Sequence, residues 1–540
     1  MIKKVFLPAI VLVIISVCLI ISSCGRKGAA GPAITFGVVG TADSLNPVFA
    51  KSFTSREVTG FIFRGLLTYD ENWKLKPVLA SENPSQKERT LELMGDGRLQ
   101  MAILLRKNLK WADGKDLQPI DFLFTFQIAS NPQWAGKRNP IYNVISQILA
   151  PGQGAITIRW KKGYFGNPAE FVALPKSIME RLVSRSSAAF ENSYLNEKPV
   201  GNGPYSVVDY NKDEIVLEAN PNYTLVNPQI KKITVRIFEK EEELLDKISK
   251  GEITAAEHLP FQFCKNLKES NQNFVVHFTE GSRLWCAAIN LNDPVMKDKR
   301  VRQALFYAID RETMAKEIYK GEGIAAESWL PEQHPAFSPV LKGERKSAAE
   351  IQNILKEAGW KVGSLGALEK NGKHLVISIW YSKSDPFSKK IAEFLRESWA
   401  SLNVDLSLEG KDEGFLLNAC KRRDFPQVAI YTYEITPWMR VSNIFSKAHI
   451  PAEKNRWKGE NITGWKNEDN EALCRELDNT FDEEPAKALL EKQQKIFAEE
   501  LPFFPLFFEL ESSVCKQNLY GWKPRGFGEI TWNCEEWEWK

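Results

Sequence analysis

The side chains that most often carry catalysis are few and scattered in this sequence. The chain has no H-E-x-x-H motif or other metal-ligand spacing among its five histidines, which are His258, His277, His334, His374 and His449. It also lacks the G-x-S-x-G turn that presents a nucleophilic serine and the glycine-rich loop that holds nucleotide phosphates. These patterns argue against an enzyme, and they predict no metal site and no cofactor.

Cysteine spacing leads to the same interpretation. Cys18 and Cys24 lie near the N-terminus, and the rest of the eight cysteines are far apart and contain no C-x-x-C pair. In an exported protein some of them could form disulfides, and Cys515 and Cys534 are the nearest pair, but the spacing leaves the pairing open. We expect buried thiols or stabilising bridges at Cys264, Cys286, Cys420, Cys474, Cys515 and Cys534.

The first residues predict export and lipid attachment. Lys3 and Lys4 precede an apolar run over 5–21, which is short for a membrane span of about 20 residues and typical of a secretory signal peptide. The run ends in Ile21-Ser-Ser-Cys24, which resembles a bacterial lipobox. We therefore expect residues 1–23 to be removed, Cys24 to be acylated and 24–32 to form a tether to the membrane. An incidental cysteine behind an ordinary signal peptide, or an uncleaved anchor, is the alternative.

The composition excludes several other functions. The formal net charge of the 540 residues is +3, which provides no basic field for binding nucleic acid. Beyond the N-terminal run there is no stretch of about 20 apolar residues, so a role in transport needs a separate membrane partner. The length is that of two or three domains.

Strand-like and helical segments must position any binding residues, and their alternation indicates the α/β class. Ser347 and Glu350 form a capping box at the start of a helix that Gly359 ends, and Asp385-Pro386 begins another. β-Branched and aromatic residues predict strands at 34–39, 101–105, 156–160, 215–217, 233–238 and 375–380.

Five sequence blocks follow one another from residue 44 to the C-terminal region. They are Ser44-Leu45-Asn46-Pro47 with FRGLLTYD at 63–70, LRKNLKWADG at 105–114, VGNGPY at 200–205, KDKRVRQALFYAIDR at 297–311, and LPFFPL at 501–506. In this order they resemble the peptide/nickel-type extracellular solute-binding family, the dipeptide- and oligopeptide-binding lipoproteins of ABC importers.

The resemblance implies a two-lobe periplasmic-binding-protein-like fold of class II, with crossing strands between two α/β lobes and a third, smaller domain inserted in lobe I. Carried onto this chain, lobe I comprises 33–74, 196–283 and 507–540, the inserted subdomain 75–195, and lobe II 284–506. Such lobes close around a ligand by a hinge motion, and the ligand must bind the closed state better than the open state. The implied partners are the permease subunits of an ABC importer, and the protein is expected to act as a monomer.

The family's cleft-lining segments also imply candidate ligand-binding residues. Peptide-binding members pair the peptide amine with an aspartate in a Gly-Trp-x-x-Asp-like stretch, and here Tyr433 falls at the tryptophan and Thr436 at the aspartate. Glu434 is the only carboxylate nearby, and a buried ammonium needs a charged or fully hydrogen-bonded partner. Lys383 falls near the arginine that some members use for the peptide carboxylate, but it lacks the bidentate fork. The candidates are Ser44, Leu45, Asn46, Phe53, Trp285, Asn290, Trp329, Tyr381, Lys383, Tyr433, Glu434 and Trp438.

The predicted function is therefore that of an exported receptor, periplasmic or on the cell surface, that is held by its lipid and feeds a small ligand, an oligopeptide of unspecified length, to an ABC permease. The departures around Glu434 and Lys383 leave other ligands open. A metal chelate of the nickel or haem type, another non-peptide solute, and a sensor or surface-interaction role without transport are the alternatives.

Overall fold

The computed structural model describes residues 32–134, 137–162, 171–193, 198–270, 273–343, 345–364 and 366–540. The predicted signal peptide, the lipidation at Cys24 and all of the predicted tether except Pro32 lie outside these residues. Within them, no helix combines the length and the apolar character that a membrane crossing needs.

Strands and helices alternate along the described chain, which confirms the predicted α/β class. The strands are β1 (Ala33–Val39), β2 (Leu67–Tyr69), β3 (Leu75–Pro77), β4 (Leu91–Leu93), β5 (Leu99–Leu104), β6 (Ile145–Gly152), β7 (Ala155–Trp160), β8 (Tyr205–Tyr210), β9 (Glu214–Ala219), β10 (Lys232–Phe238), β11 (Ala255–Ala256), β12 (Phe274–Ile289), β13 (Lys361–Val362), β14 (Leu368–Lys370), β15 (Lys373–His374), β16 (Val376–Ser382), β17 (Asp405–Lys411), β18 (Val428–Glu434), β19 (Phe503–Lys516), β20 (Leu519–Tyr520) and β21 (Glu538–Trp539). The α-helices are α1 (Phe53–Ile62), α2 (Pro119–Ala129), α3 (Ile141–Val144), α4 (Lys176–Arg185), α5 (Ser187–Glu191), α6 (Glu241–Ser249), α7 (Phe261–Glu269), α8 (Lys299–Tyr307), α9 (Arg311–Ile318), α10 (Ala348–Glu357), α11 (Pro386–Ala400), α12 (Glu413–Arg422), α13 (Val441–Phe445), α14 (Glu468–Leu477) and α15 (Glu483–Glu500).

One ten-stranded sheet organises the molecule, in the order β17-β16-β18-β12-β19-β11-β1-β10-β9-β8. Strands β12 and β19 lie in its middle and run antiparallel to each other along almost their whole length. Strand β11 pairs with the C-terminal part of β19, whereas β18 pairs with the C-terminal part of β12. The two long strands therefore belong to both halves of the sheet, and they are the crossing strands that the resemblance implies.

Each half of the sheet has its own hydrophobic core. In lobe I the core includes Phe36 and Trp537 and continues into the inserted four-stranded sheet β4-β5-β7-β6 at Trp160. In lobe II the core includes Trp399 and Phe504 and extends over 284–289 on β12. Two separate cores joined by shared strands are what a two-lobe fold requires, while the residue limits of the lobes given above stay a prediction.

The pairing of the crossing strands is interrupted where one lobe passes into the other. The register shifts between Glu280 and Leu284 of β12, which lie opposite Leu510 and Phe508 of β19. Gly281 lies in this interval, and a Cβ there would stand 2.9 Å from the carbonyl oxygen of Glu509. Such bulges bend a strand and increase its twist, so we expect a hinge motion of the lobes to be centred on this interval, which we call the hinge.

The predicted helix signals are confirmed. Ser347 and Glu350 form the capping box of α10, and the Asp385 carboxylate accepts hydrogen bonds from the backbone N–H groups of Phe387 and Ser388 at the start of α11. The six cysteines of the described chain are buried free thiols. They include Cys515 and Cys534, so this pair does not form a disulfide here.

Candidate functional site

A cavity of about 240 Å³ lies between the two lobes. Lobe I and the inserted subdomain contribute Tyr69, Trp73 and Leu75 to its lining, and lobe II contributes Trp329 and the loop 436–441 that follows β18. In α/β sheets ligands commonly bind beyond the carboxyl ends of the parallel strands, and this loop follows such an end.

Aromatic rings from both lobes meet at one side of this cavity. The Trp438 ring of lobe II lies 5.7 Å from the Tyr69 ring and 5.7 Å from the Phe527 ring, both of lobe I. Trp73 packs edge-on against Phe527 at 5.0 Å and donates a hydrogen bond from Nε1 to the carbonyl of Arg525 at 2.8 Å. We call Tyr69, Trp73, Trp438 and Phe527 the aromatic wall.

His334 lies beside this wall, with its ring centre 6.0 Å from that of Trp73. Burial lowers the pKa of His334 to about 4, so the imidazole is neutral near pH 7. The wall and its histidine therefore present an uncharged, largely apolar surface. Such a surface accepts apolar side chains or rings, because removing them from water is favourable by roughly 25 cal/mol for each Å² buried.

Charged side chains lie on the crossing strands next to the hinge. Arg283 of β12 lies opposite Glu434 of β18, and Ser282 Oγ donates a hydrogen bond to Glu434. Both Arg283 Nη1 and Trp285 Nε1 lie 3.2 Å from Glu509 Oε2 on β19. Burial raises the pKa of Glu509, although Arg283 acts in the opposite direction. We call Arg283, Glu434, Glu509, Glu511 and His258 the charged floor.

His258 and Glu511 form the lobe I end of this floor. His258 Nδ1 lies 2.8 Å from Glu511 Oε2, and the Phe53 ring meets the imidazole edge-on at 4.4 Å. His258 has the left-handed backbone angle φ 52°, which is unusual for a residue with a side chain and common at binding sites. Phe527 lines a second, small cavity together with His258 and Glu511, so the aromatic wall borders the lobe I end of the charged floor.

Glu280, directly before the hinge, is a further carboxyl group near the floor. Its side chain accepts a hydrogen bond from the backbone N–H of Glu332 at 3.2 Å, and its carbonyl accepts one from Gln333 Nε2 at 2.5 Å. Burial raises the pKa of Glu280 to about 7, although the hydrogen bond from the backbone N–H of Glu332 acts in the opposite direction; the negative charges of Glu332 and Glu327 add to the rise. Lobe II therefore contacts the hinge strand on its lobe I side.

Five of the predicted site residues lie around this cleft. Glu434 and Trp285 belong to the network on the crossing strands, and Phe53 packs on His258. Trp438 and Trp329 line the cavity, although Trp329 is also fully buried and donates from Nε1 to Gln493 Oε1 at 2.7 Å.

Four of the other predicted residues have partners inside the protein. Ser44, Leu45 and Asn46 form a buried turn in which Asn46 Nδ2 donates to Ser193 Oγ at 2.7 Å. Asn290 is buried as well, and its Nδ2 donates to the carbonyl of Phe425 at 2.6 Å. These side chains stabilise turns, and their predicted contact with ligand stays a prediction.

The remaining three lie on or next to the strands of lobe II. Tyr433 is only 2% exposed and its ring packs 4.9 Å from that of Phe503, in the core. Lys383 forms an exposed ion pair with Asp412 at 2.9 Å. Tyr381 is half-buried on β16. None of the three belongs to the aromatic wall or the charged floor, and their roles stay predictions.

The prediction from sequence missed most of the floor and the wall, including Arg283, His258, Glu509 and Glu511. One signal for them exists in the sequence. Glu509 and Glu511 interrupt the apolar run of β19 two residues apart, and residues two apart in a strand point to the same face. Carboxylates on one face of an otherwise buried strand indicate a polar site.

The charged floor leads to a prediction about pH. Burial alone would lower the pKa of His258, but Glu511, Glu257 and Glu529 outweigh it and raise the pKa from 6.5 to about 9. The pKa of His258 is higher in the folded protein than in the unfolded chain, so the protonated imidazole stabilises the fold. This contribution to the free energy of unfolding is complete below about pH 6.5 and is lost as the pH rises through about 9. We expect the His258 signal in histidine-labelled protein to titrate near pH 9 by NMR. Glu511→Gln should lower that midpoint by removing the main partner, and an unchanged midpoint would contradict the assignment.

Three comparisons with known proteins agree with this architecture. Oligopeptide-binding protein AppA of Bacillus subtilis is 23% identical over 530 residues, which cover 96% of this chain and 94% of AppA. The solved structure of NikZ from Campylobacter jejuni in complex with Ni(L-His) is 23% identical, with a TM-score of 0.62 over 94% of this chain and 99% of NikZ. The structure of AppA from Bacillus subtilis in complex with a nonapeptide is 20% identical, with a TM-score of 0.59 over 95% of this chain and 99% of that one.

The profile described as bacterial extracellular solute-binding proteins, family 5 Middle, matches residues 74–447. The match spans more than half of the chain and extends over the inserted subdomain and most of lobe II, including Glu434 and Trp438. The chain therefore belongs to the bacterial extracellular solute-binding proteins of family 5.

Proposed function

We propose that this protein is the substrate-binding lipoprotein of an ABC importer, which captures a small oligopeptide between its lobes and delivers it to a membrane permease. The observation that carries the proposal is the cavity between the lobes, which has an uncharged aromatic wall on one side. Through Phe527 this wall borders the lobe I end of the charged floor. The curated relative AppA is named an oligopeptide-binding protein, which supports a peptide as ligand.

The aromatic wall suits the side chains of a peptide. Trp438 and Phe527 are half-buried and offer ring surface, whereas Tyr69 and Trp73 are buried, and none of the four rings carries a charge. Contact with such rings depends on shape and apolar area, and it therefore tolerates many side chains, as a general peptide importer requires. The wall supplies affinity and little discrimination.

The charged floor suits the ends of a peptide. Glu434 is exposed and held by Ser282, which leaves it able to pair with an ammonium group. Arg283 lies between Glu434 and Glu509 and offers a guanidinium for a carboxylate. We assign the peptide amine to Glu434, the residue that stands near the position of the family's amine-binding aspartate.

Binding and transport are linked through the hinge. The wall has rings from both lobes and the floor lies on strands that both lobes share, so a ligand that touches both favours one angle between the lobes. A ligand shifts such an equilibrium only by its difference in affinity for the two states. The closed receptor, held at the membrane by the lipid on Cys24, is the form that we propose the permease recognises.

A metal chelate is the second candidate, since the neighbouring structure of NikZ holds Ni(L-His). Among the described residues, no three histidine, cysteine or carboxylate side chains lie close enough together to hold a metal. A metal ion bound here would therefore have to bring its own chelator, and the aromatic wall could contact that chelator.

A sensor or surface-interaction role without transport is the third candidate function.

The proposal predicts peptide capture by the lipid-free chain of residues 25–540. Native mass spectrometry against peptide pools should detect bound peptide, and Trp438→Ala should weaken its affinity about tenfold or more, because a central aromatic ring carries a large share of binding energy. Trp539→Ala, which removes an exposed tryptophan outside the cavity, is the matched control and should bind like the unchanged protein.

Capture of nickel or haem chelates in place of peptides would contradict the proposed peptide ligand but would still agree with a receptor function. A protein that binds neither pool would refute the proposal of import in favour of the sensor or interaction role. Equal peptide affinity of the Trp438→Ala and Trp539→Ala variants would show that the peptide does not bind at the aromatic wall.

The role of Glu434 leads to a separate prediction. N-Acetylation of a captured peptide removes the charge of its amine, and we expect the unchanged protein to lose about tenfold or more in affinity, the size of one charge-assisted hydrogen bond. Glu434→Gln should bind the free peptide as weakly as the acetylated one. Calorimetric titration of both peptides into both proteins measures the coupling, and two independent losses would show that Glu434 does not contact the amine.

A further inference from the structure

A second connection between the lobes borders the same cavity. The carboxylate of Asp482, at the start of α15 in lobe II, accepts hydrogen bonds from the backbone N–H groups of Gln86 and Lys87 at 2.8 and 3.0 Å. The same carboxylate accepts one from Ser85 Oγ at 3.2 Å. Hydrogen bonds to an ionised acceptor are the stronger kind, so three of them on one carboxylate hold these segments together firmly.

The side chain of Gln86 completes the connection in the opposite direction. Its Nε2 donates to the carbonyl of Asn479 at 2.8 Å, and its Oε1 accepts from the backbone N–H of Phe481 at 2.7 Å. Phe481 of lobe II packs against the core of lobe I and its insert. We call residues 84–87 and 479–482 the latch.

The latch forms part of the cavity lining. Pro84 on one side of it, and Thr480 and Phe481 on the other, line the cavity that the aromatic wall borders. A ligand that extends past the cavity on this side must pass between segments whose polar groups are already paired with one another. A longer peptide would have to break these pairs, whereas a short one would leave them intact.

We propose that the latch determines ligand length and makes this protein a receptor for short peptides. The inference rests on the proposed function, because it assumes that peptides occupy the cavity. It assigns a specificity role to Gln86 and Asp482, which lie outside the aromatic wall and the charged floor. Opening the latch would extend the cavity towards solvent and admit longer chains without changing the contacts of short ones.

The test compares libraries of random tripeptides, pentapeptides and nonapeptides with free ends, at equal concentration, by native mass spectrometry of residues 25–540. We expect the unchanged protein to capture tripeptides at least tenfold more than nonapeptides. The double variant Gln86→Ala/Asp482→Ala should reduce this ratio below threefold by gaining nonapeptides, and its tripeptide capture should stay the same. Thermal melting of both proteins establishes that the variant is folded.

Glu484→Gln is the matched control, since it removes an exposed acidic charge from the same first turn of α15 but lies outside the latch. It should keep the length preference of the unchanged protein. Capture of all lengths equally by the unchanged protein, or the same ratio in protein and double variant, would overturn the latch proposal and leave peptide binding in place. Capture of no peptide of any length would overturn the proposed function and the latch proposal with it.

Discussion

The pairing of β12 with β19 is the constraint on which the rest of this structure depends. Both halves of the ten-stranded sheet hydrogen-bond to these two strands, β11 through β19 and β18 through β12. Rotation of the lobes relative to each other would therefore require this shared ladder to yield and the latch to open. We expect the ladder to yield at the register shift around Gly281, because the regular pairing of the two strands is already interrupted there.

The chemistry of the cleft follows from this arrangement. Arg283, Glu509 and Glu511 lie on the crossing strands beside the hinge, where a small rotation changes their distances least. The aromatic wall comes from segments of both lobes, so its two sides would separate or approach as the lobes move. A ligand held by its charges at the hinge and by its side chains at the wall would bind one interlobe angle better than all others, which is the requirement for a closing receptor.

The sequence predicted the local structure well and the site incompletely, for physical reasons. The caps at Ser347 and Asp385 involve neighbours two or three residues away, so the sequence alone shows their signals. Arg283 and Glu509 are 226 residues apart, and only the pairing of the crossing strands brings them together. Neighbouring side chains in a strand point to opposite faces of the sheet, so Glu434 is exposed while Tyr433 is buried. The sequence does not indicate which of these two side chains faces the core. The Ser44–Asn46 block identified the family through a turn whose polar groups bond to each other and to Ser193.

The central claim, that the lobes close on a ligand about the crossing strands, is tested most directly by the distance between the lobes. Dyes on Lys212→Cys, in the β8–β9 turn, and Glu413→Cys, at the start of α12, lie next to the two edge strands of the sheet, β8 and β17. The native thiols of the described chain are buried. In single-molecule energy transfer, a saturating captured peptide should convert a population with distant dyes into one with closer dyes, in proportion to occupancy. Bound peptide with an unchanged distance distribution would contradict closure about the crossing strands.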